Sequence, residues 1–152
     1  MRFRHLAVAL MPLAFAACLS DTATNTYPLV PIESTTFAPS LNVNLAASTK
    51  TADGLYYRDI TVGTGATIVT GTALNVKYSG AFANGTVFDS GSNGNLVFTY
   101  PGNLIQGFNE GLLGMKVGGV RQLIIPPSLG YGASGSGPIP PNAVLVFTVN
   151  PI

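Results

Sequence analysis

Asn84-Gly85, set between two apolar runs, is the feature that most narrows how this chain can fold. The pair predicts a tight type I′ hairpin turn, which needs positive φ at both central residues. Ahead of it, Leu74, Val76, Tyr78 and Phe82 fall on one face of a strand, and Asn75, Lys77 and Ser79 on the other. Residues 86–88 form the return strand, so the chain is committed to antiparallel pairing. Asn84-Gly85-Thr86 also matches a glycosylation sequon, but the turn accounts for it fully.

Further strand candidates lie on both sides of the hairpin. Residues 56–62 close on Gly63-Thr64-Gly65, residues 96–100 make a short strand, and residues 120–125 stop at Pro126-Pro127. Residues 144–149 form the last, ended by Pro151. Leu104, Ile105, Phe108 and Leu112 share a helical face, while Gly107 and Gly111 are poor helix formers. That helix is therefore short and held by packing. Five to six strands with no βαβ alternation predict an α+β fold, an antiparallel sheet curled around one short α-helix.

The chemistry is bounded by what the domain lacks. The single His is His5 and the single Cys is Cys18, both ahead of the β-rich part. That part holds no Ser-His-Asp or Cys-His constellation, no His/Cys zinc site and no disulfide. Its carboxylates, Asp53, Asp59, Asp89 and Glu110, are scattered along the sequence.

Met1-Arg2-Phe3-Arg4-His5 followed by an apolar stretch to Ala17 reads as a signal peptide over residues 1–17, too short to span a bilayer. Phe15-Ala16-Ala17-Cys18 resembles a bacterial lipobox, which makes Cys18 the lipidation site; ordinary cleavage at Ala14-Phe15-Ala16 is the alternative. Residues 18–50, rich in Thr, Ser, Ala, Asn and Pro, read as a tether, in which alternating Leu41, Val43 and Leu45 allow a short extra strand. The domain proper spans residues 51–152. From Cys18 onward Lys50, Arg58, Lys77, Lys116 and Arg121 face six acids, so no basic patch survives and nucleic acid is not an expected partner.

Across the domain runs a fixed series of small motifs: Val76-Lys77-Tyr78-Ser79-Gly80, Val87-Phe88-Asp89, Leu104-Ile105-Gln106-Gly107-Phe108, Tyr131-Gly132-Ala133, Ile139-Pro140-Pro141 and Leu145-Val146-Phe147. Read physically, these set aromatic and branched residues beside turns, with a carboxylate and a phenol among them. That composition suits a shallow apolar pocket with a polar rim. In order and spacing the series resembles the FKBP-type peptidyl-prolyl cis-trans isomerases, over nearly the whole domain.

The resemblance implies a proline pocket formed by Tyr78, Phe88, Asp89, Ile105, Phe108, Tyr131 and Phe147, with Leu96, Leu104 and Ile139 as further substrate contacts. It implies that the Ile105 N–H and the Tyr131 hydroxyl bond substrate carbonyls, and that Asp89 orients neighbouring phenols. Phe108 stands where the family usually has Trp, and Leu96 where an aromatic wall is common. The family's basic residue soon after Phe-Asp is replaced by Gly91-Ser92-Asn93-Gly94, leaving Asp89 to find Arg121 or a phenol as partner. The expected partners are proline-containing polypeptides and macrolide immunosuppressant-type ligands, with no cofactor and no metal. The expected protein is a monomer, exported to a bacterial periplasm or outer surface and held at a membrane by Cys18. A low-turnover proline-binding chaperone and a surface interaction lipoprotein are the rival readings.

Overall fold

The computed structural model of the chain describes residues 27–152; the signal peptide expected over residues 1–17 and the expected lipidation site Cys18 lie outside them. The strands are β1 (Thr49–Lys50), β2 (Tyr56–Thr61), β3 (Ala73–Phe82), β4 (Val87–Thr99), β5 (Val120–Ile125) and β6 (Leu145–Pro151), with one α-helix, α1 (Gln106–Leu112). They form a single sheet in the order β1-β2-β5-β6-β3-β4, with every pair antiparallel. The α+β architecture is the one expected.

Burial along β5 explains its central place. Leu123 and Ile125 pack into the main core with Leu74, Val76, Leu145, Phe147 and Val149, while Ile124 faces the opposite side of the sheet. A strand covered on both faces needs a continuous apolar run, and this one has it. The helix lies on the concave face and buries Gly107, Phe108, Gly111 and Leu112. A Cβ on Gly107 would sit 2.6 Å from Ile125 Cγ2, and one on Gly111 would overlap Leu123. The two glycines that weaken the helix are what let it lie close to the sheet.

Four local expectations are corrected. The hairpin is not a type I′ turn: among its residues only Gly85 has positive φ, at 88°, and the Gly85 N–H donates to Phe82 O at 2.9 Å. This is a three-residue connection, a turn followed by a glycine bulge, with Asn84 Oδ1 accepting from the Thr86 N–H at 2.9 Å. The strands expected over residues 86–88 and 96–100 merge into one long strand, β4 (Val87–Thr99), whose register jumps between Val76↔Leu96 and Tyr78↔Gly91. The polar Gly-Ser-Asn-Gly stretch is thus a bulge within a strand. Pro151 pairs with Val76 as the last residue of β6 rather than stopping it earlier. Leu41, Val43 and Leu45 form no strand; 3₁₀ turns at Pro39–Leu41 and Leu45–Ala47 occupy that stretch.

The stretch read as a tether is, from Ile32 to Leu45, laid along the convex face of the sheet, and its last two residues, Thr49 and Lys50, form the edge strand β1. Ile32 is buried against Tyr56, Ile124, Val144 and Val146, with Phe37, Leu41, Val43 and Leu45 packed beside them. Ile32, Phe37 and Leu41 follow no strand period, and the alternation of Leu41, Val43 and Leu45 falls in irregular chain between two 3₁₀ turns, so the sequence pattern misleads here. Polar contacts fix the path: Gln122 Nε2 donates to Leu41 O at 2.7 Å, Ala38 N–H to Ala83 O at 2.8 Å, and Arg58 to Asn42 O at 2.8 Å. Ile32→Ala is expected to lower unfolding free energy by about 2 kcal/mol, the low end for a buried Ile because the site borders solvent, measured by urea unfolding.

Glu33 pins the start of this strap. Its carboxylate accepts from Lys50 Nζ at 2.6 Å and from the Tyr56 hydroxyl at 2.5 Å. Lys50 first, and then Tyr56, lower its pKa from 4.5 to about 2. Because the folded value lies below the ordinary one, the clamp contributes fully above about pH 4.5 and is lost as pH falls through about 2. Solvent screening keeps that contribution small.

Candidate functional site

The aromatic side chains of β3, β4, β6 and α1 meet at one end of the core. Phe108, buried at the base, meets Tyr78 edge-on at 6.1 Å between ring centroids and Phe147 edge-on at 5.4 Å. Phe88 adds an edge contact to Phe147 at 5.6 Å and is backed by Phe82 at 4.9 Å. Edge-to-face rings hold one another in fixed orientations, so the walls are set before any ligand arrives. Two glycines make room. A Cβ on Gly80 would lie 2.6 Å from Phe147, and one on Gly91 would lie 2.6 Å from Tyr78.

Above Phe108 the rings enclose a cavity of about 370 Å³. Tyr78, Leu96, Leu104, Ile105, Phe108 and Phe147 form its floor and walls, and Asp89, Asn103 and Tyr131 its polar rim. The other two residues expected at the site, Phe88 and Ile139, line a smaller adjoining cavity of about 240 Å³ with Ser136, Gly137 and Pro138. Asp89 and Tyr131 border both cavities. The structure therefore gathers all ten pocket residues named from the sequence around two neighbouring hollows.

The partner of Asp89 is a phenol. The Tyr78 hydroxyl donates to Asp89 Oδ2 at 2.9 Å, whereas Arg121 is engaged with Asp59 at 2.7 Å. Burial and then the Asp89 carboxylate raise the Tyr78 pKa, so this phenol stays a donor throughout the neutral range. Both rim oxygens of the pair are thereby oriented without a cation.

Leu104 and Ile105 do not belong to the helix, as their spacing predicts, but to the approach to it. Ile105 is the N-cap, with φ −58° and ψ 146°. Its carbonyl accepts from the Phe108 and Asn109 N–H groups at 3.1 and 3.2 Å, while its own N–H precedes the first helical bond and has no backbone acceptor among the described residues. Asn109 holds this approach: its Oδ1 accepts from the Gly102 N–H at 3.0 Å, and its Nδ2 donates to Gly102 O at 2.9 Å. Asn109 and Asn103 are the site residues the sequence reading missed. An Asn in a first helical turn, beside a Gly-containing loop, was the available signal, since short amide side chains bond nearby backbone.

The comparisons agree with this geometry. The family model for FKBP-type peptidyl-prolyl cis-trans isomerases matches residues 65–151. An FK506-binding protein of Neisseria meningitidis serogroup B is 44% identical over 100 residues, which cover 63% of this chain and 92% of that protein. FK506-binding protein 4 of Dictyostelium discoideum is 45% identical over 98 residues, 63% of this chain and 27% of that one. The chain spans about a quarter of the length of the first such eukaryotic relatives it matches. Among solved structures, FkpA from Escherichia coli superposes with a TM-score of 0.64 at 34% identity, covering 70% of this chain and 50% of that one. With the model match spanning more than half of its length, the chain belongs to the FKBP-type peptidyl-prolyl cis-trans isomerase family.

Proposed function

We propose that this chain catalyses cis–trans isomerisation of X-Pro bonds in exported polypeptides. The observation that carries the reading is the aromatic hollow itself: rigid edge-to-face rings over a buried Phe108, with hydrogen-bonding groups only at the rim. Rotation about an amide is slow because twisting breaks resonance, a barrier of about 18–20 kcal/mol. For X-Pro the two isomers are nearly balanced yet exchange over tens to hundreds of seconds. Reaching milliseconds requires lowering the barrier by about 6 kcal/mol at 1.36 kcal/mol per decade of rate.

No nucleophile is needed for that. The planar amide is the more charge-separated state, so a dry pocket disfavours it relative to the twisted one. Phe108 supports the proline ring from below, and Tyr78 and Phe147 face the carbonyl that swings. The Ile105 N–H and the Tyr131 hydroxyl hold the flanking backbone, and Asp89 fixes Tyr78. The basic leader, the apolar run to Ala17 and the lipobox-like Phe15-Ala16-Ala17-Cys18 support action on envelope or secreted proteins from a membrane anchor.

The test is the isomerisation rate of a Leu-Pro peptide with and without the chain. The expected result is acceleration that a macrolide of the FK506 class blocks and that Tyr131→Phe lowers about tenfold, since one substrate hydrogen bond is lost. A folded chain that binds the macrolide but leaves the rate unchanged would replace the enzyme with a proline-binding chaperone. Leu96, which stands where the pocket wall has no ring, is the observation that favours that second reading.

A further inference from the structure

The cations of the described chain are all placed away from the pocket. Lys50 pairs with Glu33, Arg121 with Asp59, and the Arg58 guanidinium donates to Asn42 O. Lys77 lies on the face of β3 opposite the core residues Val76 and Tyr78, and Lys116 forms a bridge to Thr67 beyond the helix. None of them lines either hollow. Asp89 does line both, is exposed, and among the described residues its side chain has only the neutral Tyr78 hydroxyl as a hydrogen-bond partner. One carboxylate therefore sets the field at the mouth, and no positive group among the described residues lines either hollow to offset it.

The two hollows fix where that field acts. They share Asp89 and Tyr131 as a common border. A polypeptide whose proline fills the hollow above Phe108 and whose chain runs on into the smaller one crosses this border, which takes the residue next to the proline past the carboxylate. The far hollow is lined by Phe88 and Ile139 and by the small residues Ser136 and Gly137 beside Pro138, and Asp89 is its one charged side chain among the described residues.

We infer that Asp89 selects its substrates by charge: prolines flanked by Lys or Arg are preferred, and prolines flanked by Asp or Glu are rejected. This inference rests on the proline-pocket reading and adds a substrate class to it. A Lys stem packs along the Phe88 and Ile139 surface while its ammonium stays near the rim in water. The attraction works across a solvated rim, so it is moderate and salt-sensitive.

The experiment measures binding, so it reads the inference even where turnover is low. Fluorescent pentapeptides carrying Lys, Gln or Glu immediately before proline, and a second series with the change immediately after it, are titrated by anisotropy. The expected order in at least one series is Lys over Gln over Glu, with the extremes about tenfold apart at low salt. In about 1 M salt, where the screening length is about 3 Å, they come within about twofold. Asp89→Asn, which keeps an acceptor for Tyr78, flattens the order. Asp53→Asn removes the same charge from a position outside both hollows and leaves the order intact.

Peptides that all bind alike overturn the inference and leave the pocket standing. An order that survives Asp89→Asn, or that Asp53→Asn flattens equally, overturns it as well. Failure of every peptide and of the macrolide to bind overturns the pocket reading along with it.

Discussion

Phe108→Ala is expected to weaken proline-peptide binding at least about thirtyfold and to lower unfolding free energy by about 3–4 kcal/mol. The side chain is 3% exposed, and truncating a buried Phe costs about 3–5 kcal/mol in lost transfer energy and cavity. It also removes two edge-to-face contacts, to Tyr78 and Phe147, which then lose their fixed orientation. The binding loss follows because an aromatic anchor at the base of a dry pocket contributes about 2 kcal/mol or more. Leu112→Ala provides the comparison. Leu112 is fully buried on the same helix but does not line the pocket, so its truncation costs a similar amount of stability. Urea unfolding and peptide titration of the two variants separate the roles. If folded Leu112→Ala loses binding as severely as folded Phe108→Ala, Phe108 acts through general packing and not as the pocket floor.

Much of this site was legible because its residues sit at short-range landmarks. Tyr78 lies on the apolar face of an alternating strand, Phe88-Asp89 follow a turn, and Ile105 and Phe108 open an apolar helical run. Period and turn chemistry are local, so the sequence displays them directly. The strap is the opposite case. Ile32, Phe37 and Leu41 bury themselves against a face made by β2, β5 and β6, and irregular chain on a sheet leaves no period to read. Long-range fit hid the glycines in the same way. Gly107 and Gly111 look like defects until Ile125 and Leu123 are placed against them. An alanine there would gain about 1 kcal/mol of helix propensity, but overpacking costs about 1–3 kcal/mol, so the steric term wins. The hairpin shows a subtler limit. Asn-Gly announces a turn, but Asn84 uses its side chain to bind the Thr86 N–H, and only Gly85 needs positive φ.

Arg121→Met is expected to destabilise the fold by about 3 kcal/mol and Asp59→Asn by only about 1 kcal/mol, although both break the same ion pair. Arg121 is 6% exposed and satisfies several groups at once. Its Nε and Nη2 donate to the two Asp59 oxygens at 2.7 and 3.0 Å, and Nη1 donates to Gly111 O at 2.9 Å. Its guanidinium also lies over the Tyr57 ring at 4.6 Å. The Gly111 carbonyl belongs to the last turn of α1, so Arg121 ties the end of the pocket-floor helix to the sheet. Methionine keeps the apolar stem but leaves that buried carbonyl without its donor, at about 1–3 kcal/mol, in addition to the lost pair. The Asp59 side chain is 35% exposed. Water can take its place beside the guanidinium, and an amide oxygen still accepts one bond, so the full cost of about 3–5 kcal/mol for a severed buried pair does not apply. Urea midpoints at equal slope give the two energies, and faster amide exchange at Met115, whose N–H donates to Leu112 O, locates the damage at the helix end. Equal costs for the two substitutions would mean that the ion pair, and not the bond to the helix carbonyl, is what keeps α1 seated beneath the pocket.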